Sequence, residues 1–135
     1  MPSFSELIRS QEELLKRLLL VSQRQLEIVQ TGDGTLLLEH LGKRQQLWNE
    51  LELLDQQLAP HKTTLPESRV WKYSEERQMT EEALNRCKEL MAQILENDAQ
   101  SMGLAEKLMD EIKEQLQRVQ HGGRIASAYG RQSQL

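Results

Sequence analysis

The stretch that decides the fold is residues 5–30, SELIRSQEELLKRLLLVSQRQLEIVQ, closed by Thr31-Gly32-Asp33-Gly34. Leu7, Leu14, Val21 and Ile28 recur every seven residues, with Leu18 on the same stripe. A strand would alternate every second residue, so this period predicts a helix. Ser3 and Glu6 have capping-box spacing at its start. Two glycines flanking a turn-forming Asp predict its end.

Working outward, Thr35 to Leu58 predicts a second helix. Leu37, Leu41, Arg44, Trp48 and Leu51 trace one face, and Leu47, Leu54 and Leu58 widen it. Arg44 is the charged exception, read as an edge position that snorkels to water or reaches an acid such as Glu27. Trp48 reads as a core plug. Pro60 is expected to end this helix. The short turn before it makes the two helices an antiparallel hairpin. Ala59 to Ser74 reads as the one real loop. Val70, Trp71 and Tyr73 at its end read as a cap over the open end of the hairpin, with a partner contact as the alternative.

A third helix is expected from about Glu75 to Gln120. Leu84, Cys87, Met91, Ile94, Ala105, Leu108, Ile112 and Val119 follow the alternating three-four spacing of a coiled-coil seam. The seam fails in the middle, where Asp98 and Ser101 take seam positions, Asn97 and Gln100 flank them, and Gly103 follows. Gly in a helix costs about 1 kcal/mol relative to Ala. The expectation is a kink, a hinge or a break near 97–103. Gly122-Gly123 is expected to stop the helix. The fold class is therefore all-α: an antiparallel hairpin plus a long third helix, continuous or broken, in a bundle or coiled-coil-like arrangement. Residues 1–120 form a single helical bundle domain, and 121–135 a flexible C-terminal tail.

Composition agrees. The 135 residues are about one domain's worth. Aromatic residues are only 4% and charged residues 28%, the balance of long helices rather than of a thick enzyme core. The net charge of −4 argues against a phosphate-backbone or membrane-surface binder, which needs excess Lys and Arg on one face. Lys43-Arg44 is too short a basic run to change that. The longest apolar run, Leu18 to Val21, falls far short of a membrane span. No basic-then-apolar leader pattern opens the sequence. The single Cys87 has no partner for a disulfide. Together these give an expectation of a cytoplasmic protein.

The chemistry of an enzyme is missing. A bundle di-iron site needs Glu three residues before His, but Leu37, Leu58 and Arg118 precede His40, His61 and His121. The histidines are too scattered for zinc and are read as surface residues. Cys87 lies on the seam, without a nearby histidine, and reads as a small buried hydrophobe. Gly32-Asp33-Gly34 lacks the length and the following Lys-Ser or Lys-Thr of a phosphate loop. Glu75-Glu76 and Glu81-Glu82 favour a helix N-terminus. No catalytic residue, metal or cofactor is expected.

Lengths point to binding. At 1.5 Å per residue the first two helices span roughly 35–40 Å, and the third roughly 70 Å if unbroken. The hairpin covers about half of it. The second half still carries Leu104, Leu108, Met109, Ile112, Leu116 and Val119. That stripe must fold back as a fourth helix, pair with a second copy, or receive a partner helix. Exposed Met and Leu suit such a role.

The chain resembles the FlgN-type flagellar export chaperones of the bacterial type III system. The resemblance rests on the leucine-rich first helix ending at Thr31-Gly32-Asp33, on Leu37, Leu38, Leu41, Lys43, Leu47, Leu51 and Leu54 in the second, on the long third helix, and on a polar tail with Tyr129-Gly130. It implies a non-enzymatic cytoplasmic chaperone that shields helical ends of hook–filament junction proteins and delivers them to the export machinery. The stripe, with Ile125 and Tyr129 of the tail, would be the partner-binding surface. The competing expectation is a structural coiled-coil module in which the same stripe makes a homodimer or scaffold.

Overall fold

The computed structural model describes the backbone of residues 2–133 and the side chains of residues 2–122, Pro66 excepted. Three α-helices appear in the expected order: α1 (Phe4–Thr31), α2 (Gly34–Lys62) and α3 (Glu76–Ser133), with a 3-10 turn at Pro66–Ser68 between the last two. The chain divides into two compact units, Met1–Ser101 and Met102–Leu135.

The turn between α1 and α2 works as its residues dictate. Gly32 takes the left-handed conformation at φ 74°, which only glycine adopts without strain, and its N–H donates to the carbonyls of Ile28 and Val29. Asp33 then caps α2, its Oδ1 accepting the Leu36 N–H at 3.0 Å. At the other end of α1, Ser3 Oγ accepts the Glu6 N–H at 3.2 Å. Only half of the capping box forms, because the Glu6 carboxylate goes to Lys72 instead, 3.3 Å away.

Pro60 does not end α2; it sits inside the last turn, and the helix runs on to Lys62. A proline this close to the end removes one hydrogen bond. The neighbouring carbonyls find other donors: Thr63 Oγ1 donates to Pro60 O at 2.8 Å, and Arg69 Nη2 to His61 O at 3.2 Å. Arg69 also lies over the Phe4 ring, 4.0 Å from its centre, and Phe4 meets His61 and Trp71. Trp71 thus helps cap the open end of the hairpin, while Val70 is exposed.

The core of the first unit is shared by three helices. Leu7, Ile8, Leu15 and Leu18 come from α1, Leu51, Leu54 and Leu58 from α2, and Ala83, Cys87 and Ile94 from α3. The seven-residue stripe of α1 covers only part of this. Leu14 and Val21 are half-buried, whereas Ile8 and Leu15 are fully inside, because a helix with two neighbours buries a wider arc than a two-helix seam. Cross-links place α1 and α3 parallel: Ser5 with Thr80, Glu12 with Arg86, Ser22 with Asn97.

The polar stretch read as a weak point of the third helix does not break it. α3 is continuous through 97–103, and it also runs through Gly122-Gly123 to Ser133, where a stop was expected. In place of a break stands a polar layer. Asn97 Nδ2 donates to Ser22 Oγ at 3.0 Å, and Ser22 donates to Leu19 O at 2.8 Å. Arg44 Nη1 donates to Asp98 Oδ1 at 2.6 Å and to Gln25 Oε1 at 2.8 Å, while Nη2 donates to Asp98 Oδ2. Arg44 is therefore no edge residue, and its acid is Asp98 of α3 rather than Glu27, which pairs with Arg24. Trp48, half-buried, lies under the guanidinium at 5.8 Å. His40, expected at the surface, is 8% exposed, with Nε2 2.7 Å from Val21 O.

Removing Asp98 strands a guanidinium whose side chain is only 15% exposed. Asp98→Ala is expected to destabilise the chain by about 2–3 kcal/mol in urea denaturation, and Arg44→Met with Asp98→Leu by about 1 kcal/mol or less, since breaking one partner costs more than replacing both. Equal losses for the two variants would show that the pair carries no coupling.

Candidate partner-binding surface

The first unit closes its own core, and its charged contacts serve that closure. Arg86 clamps Glu12 with two bonds, from Nε at 2.8 Å and from Nη2 at 3.1 Å. The Glu12 carboxylate is nearly buried, and these bonds hold its pKa below the usual carboxylate value against the opposing effect of desolvation. Cys87, on the same face, is buried, and that desolvation pushes its thiol up to about 11, with Glu12 adding to the rise and Arg86 opposing it. At neutral pH it is a protonated thiol, unfit as a nucleophile. His61 lies in the last turn of α2 and His121 in α3, rather than in a loop and a tail. Among the described residues no group of three or more His, Cys, Asp and Glu is placed to hold a metal ion. Among them, too, no helix is long and apolar enough to cross a membrane.

The second unit presents apolar side chains to solvent. Leu104 and Leu108 are half-buried. Met109 is 54% exposed, Ile112 41%, Leu116 55% and Val119 70%. The side chains of Ile125 and Tyr129, the remaining expected contacts, lie outside the described residues. One residue was missed: Met102, 64% exposed. It opens a run with Ala105, Met109, Ile112, Leu116 and Val119 at spacings of three, four, three, four and three, which is a seam in its own right. The signal was legible in the spacing. It was passed over because the seam was traced from Ile94 through Ser101, one position short of Met102.

Flanking this seam, Glu106 and Lys113 on one side face Leu108 and Gln115 on the other. Such flanks carry no consistent charge pattern of the kind that dictates one coiled-coil partner. Among the described residues this face is apolar at its centre and mixed in charge at its flanks.

The described residues define an all-α, three-helix protein with a closed core in its first unit and an exposed apolar helical face in its second. The family comparison makes this specific: the model for "FliT: Flagellar protein FliT" matches residues 12–131, and the chain belongs to the FliT family. It is a small, non-catalytic, cytoplasmic flagellar type III export chaperone, of a family that partners with flagellar export components. No curated protein and no solved structure matches the chain.

The FlgN-type resemblance is thereby corrected, since the match over most of the chain is to FliT. Its residues were those that any capped hairpin requires. Thr31-Gly32-Asp33 supplies a left-handed C-cap and an N-cap, and the spaced leucines supply a core.

The Glu12 clamp gives a pH test. A carboxyl whose pKa is lower in the folded than in the unfolded state adds stability above its unfolded value, and that stability is lost as pH falls through the folded one. Glu12→Gln is therefore expected to flatten the acid limb of the stability curve below the ordinary Glu range of about 4.3. An unchanged acid limb in urea titrations at several pH values would place the linkage elsewhere.

Proposed function

We propose that the chain shields an amphipathic helix of an exported flagellar protein against the second-unit stripe, Leu104, Leu108, Met109, Ile112, Leu116 and Val119, with Met102 added and with Ile125 and Tyr129 extending it. The observation that supports this reading is the exposure of Met109, Ile112, Leu116 and Val119 together on one coiled-coil seam. An apolar row of that length is a cost to a free protein unless something covers it. A helix laid along it would bury side chains worth about 1.5–3 kcal/mol each, before the cost of ordering. The two methionines let the surface repack around different sequences.

The narrower expectation of a hook–filament junction client came with the FlgN-type resemblance. With the family corrected, the supported client is the broader class: a helical segment of an exported flagellar subunit. The tail past Gly122 would add to the same contact.

The expected outcome is sharp at Ile112 and Leu116, which are exposed, so that charges there leave the fold alone. Titrating the helical ends of exported subunits by calorimetry, Ile112→Asp with Leu116→Asp should weaken the tightest complex by at least about tenfold, the loss of one to two buried side chains. Far-ultraviolet dichroism and the melting curve should not change. Undiminished binding by this variant would remove the stripe as the client site.

A further inference from the structure

The first unit holds a second unfilled surface, between α1 and α2. Ser10, Glu13, Leu14 and Arg17 of α1 face Glu50, Leu53, Leu54 and Gln57 of α2 across a groove of about 480 Å³, with Arg9 at one end. Each wall repeats at i, i+3, i+4 and i+7, so two turns of each helix line it over about 10 Å. The cross-links from α1 to α3 leave from other residues, Ser5, Ile8, Glu12 and Ser22. This groove is the side of the hairpin that α3 does not line.

Its floor is apolar, its α1 rim carries Arg9 and Arg17 with Glu13 between them, and its α2 rim carries Glu50. Leu54 is buried and Leu14 half-buried, while Leu53 stands 61% exposed. Leu20, one turn beyond Arg17, is also exposed. On the α1 rim, Glu13 is paired with Lys16 at 3.6 Å, and Arg9 donates to the neutral Tyr73 hydroxyl at 3.5 Å while its charge also helps to lower the pKa of Glu6 one turn back. Arg17 on this rim and Glu50 on the α2 rim make no ion pair among the described residues, with each other or with any neighbour. With Glu13 turned to Lys16, the two arginines of one rim, the apolar floor and Glu50 of the other complement one kind of guest: a helix with an apolar stripe, acids on one flank and a base on the other.

We propose that the α1–α2 groove is a second docking site, distinct from the stripe, for an amphipathic helix of a partner protein that turns acidic residues toward Arg9 and Arg17 and a Lys or Arg toward Glu50. Two binding faces on one chain would let a chaperone hold a client and a second protein together.

The test uses the full chain and two stapled helical peptides of about 14 residues, roughly four turns. Both carry leucine at i, i+3 and i+7. One has glutamates on the flank facing α1 and lysine on the flank facing α2, and the other has these flanks exchanged. By fluorescence anisotropy the first should bind with micromolar affinity and the second about fivefold more weakly. Arg17→Glu with Glu50→Lys should reverse that order. Leu53→Asp should abolish binding with the melting curve unchanged, and Ile112→Asp with Leu116→Asp should leave it intact. Equal binding of the two peptides, no binding of either, or an order that survives the charge reversal overturns the proposal. Loss of binding in the Ile112 and Leu116 variant would place the peptide on the stripe, and loss of self-association in Leu53→Asp would give the groove to a second copy. Either result also overturns it. Because the client site is probed by different residues, failure here leaves the stripe reading standing.

Discussion

The ion pair between Arg44 and Asp98 is the constraint on which the rest of the first unit turns. A coiled-coil seam made only of Leu, Ile and Ala can slip by one turn at small cost. A half-buried guanidinium bound at both of its terminal nitrogens by one carboxylate cannot, since a slipped register would strand both charges. Gln25 takes the same guanidinium from α1, so a single side chain of α2 ties all three helices. Ser22 with Asn97 adds a neighbouring rung, and His40 ties α2 to the α1 backbone. Buried Ser101 Oγ, at the end of this layer, has no hydrogen-bond partner.

This layer also explains the division of labour along α3. Up to Ile94 the helix gives aliphatic side chains to a shared core, and at Asn97, Asp98 and Ser101 it gives polar ones. Polar residues set register and apolar ones supply the energy, so specificity and stability come from different residues. From Met102 the apolar residues follow a seam that keeps Ala105, Ile112 and Val119 and moves the positions between them by one, and its large side chains are open to water. The apolar residues thus switch from enclosed in the first unit to largely exposed in the second.

Much of the fold was legible in the sequence because it follows from local rules. The helical period, the Gly32-Asp33 caps and the antiparallel hairpin all rest on residues within a few positions of each other. What escaped needed a partner far away in the chain. Asp98, Asn97 and Gly103 read as a flaw in the seam because Arg44 and Ser22 lie 54 and 75 residues away. Arg44 read as an edge residue for the same reason, and His40 as a surface one. The end of α2, read at Leu58, lies four residues on at Lys62, where the side chains of Thr63 and Arg69 serve the carbonyls of Pro60 and His61. The spacing of the second-unit apolar stripe was legible too, Met102 included, although the seam was traced past that residue. The family was not, because capped turns and spaced leucines carry fold information and little else.

On the proposed reading the stripe stays free until a client arrives. Sedimentation velocity over a dilution series from high micromolar to nanomolar concentration measures that directly. A monomer, or a dimer that dissociates in the micromolar range, is the predicted result, because weak self-association leaves Met109, Ile112, Leu116 and Val119 available to another helix. A dimer that persists at nanomolar concentration would contradict it. The stripe would then already be buried against a second copy, and the chain would be a structural module rather than a carrier.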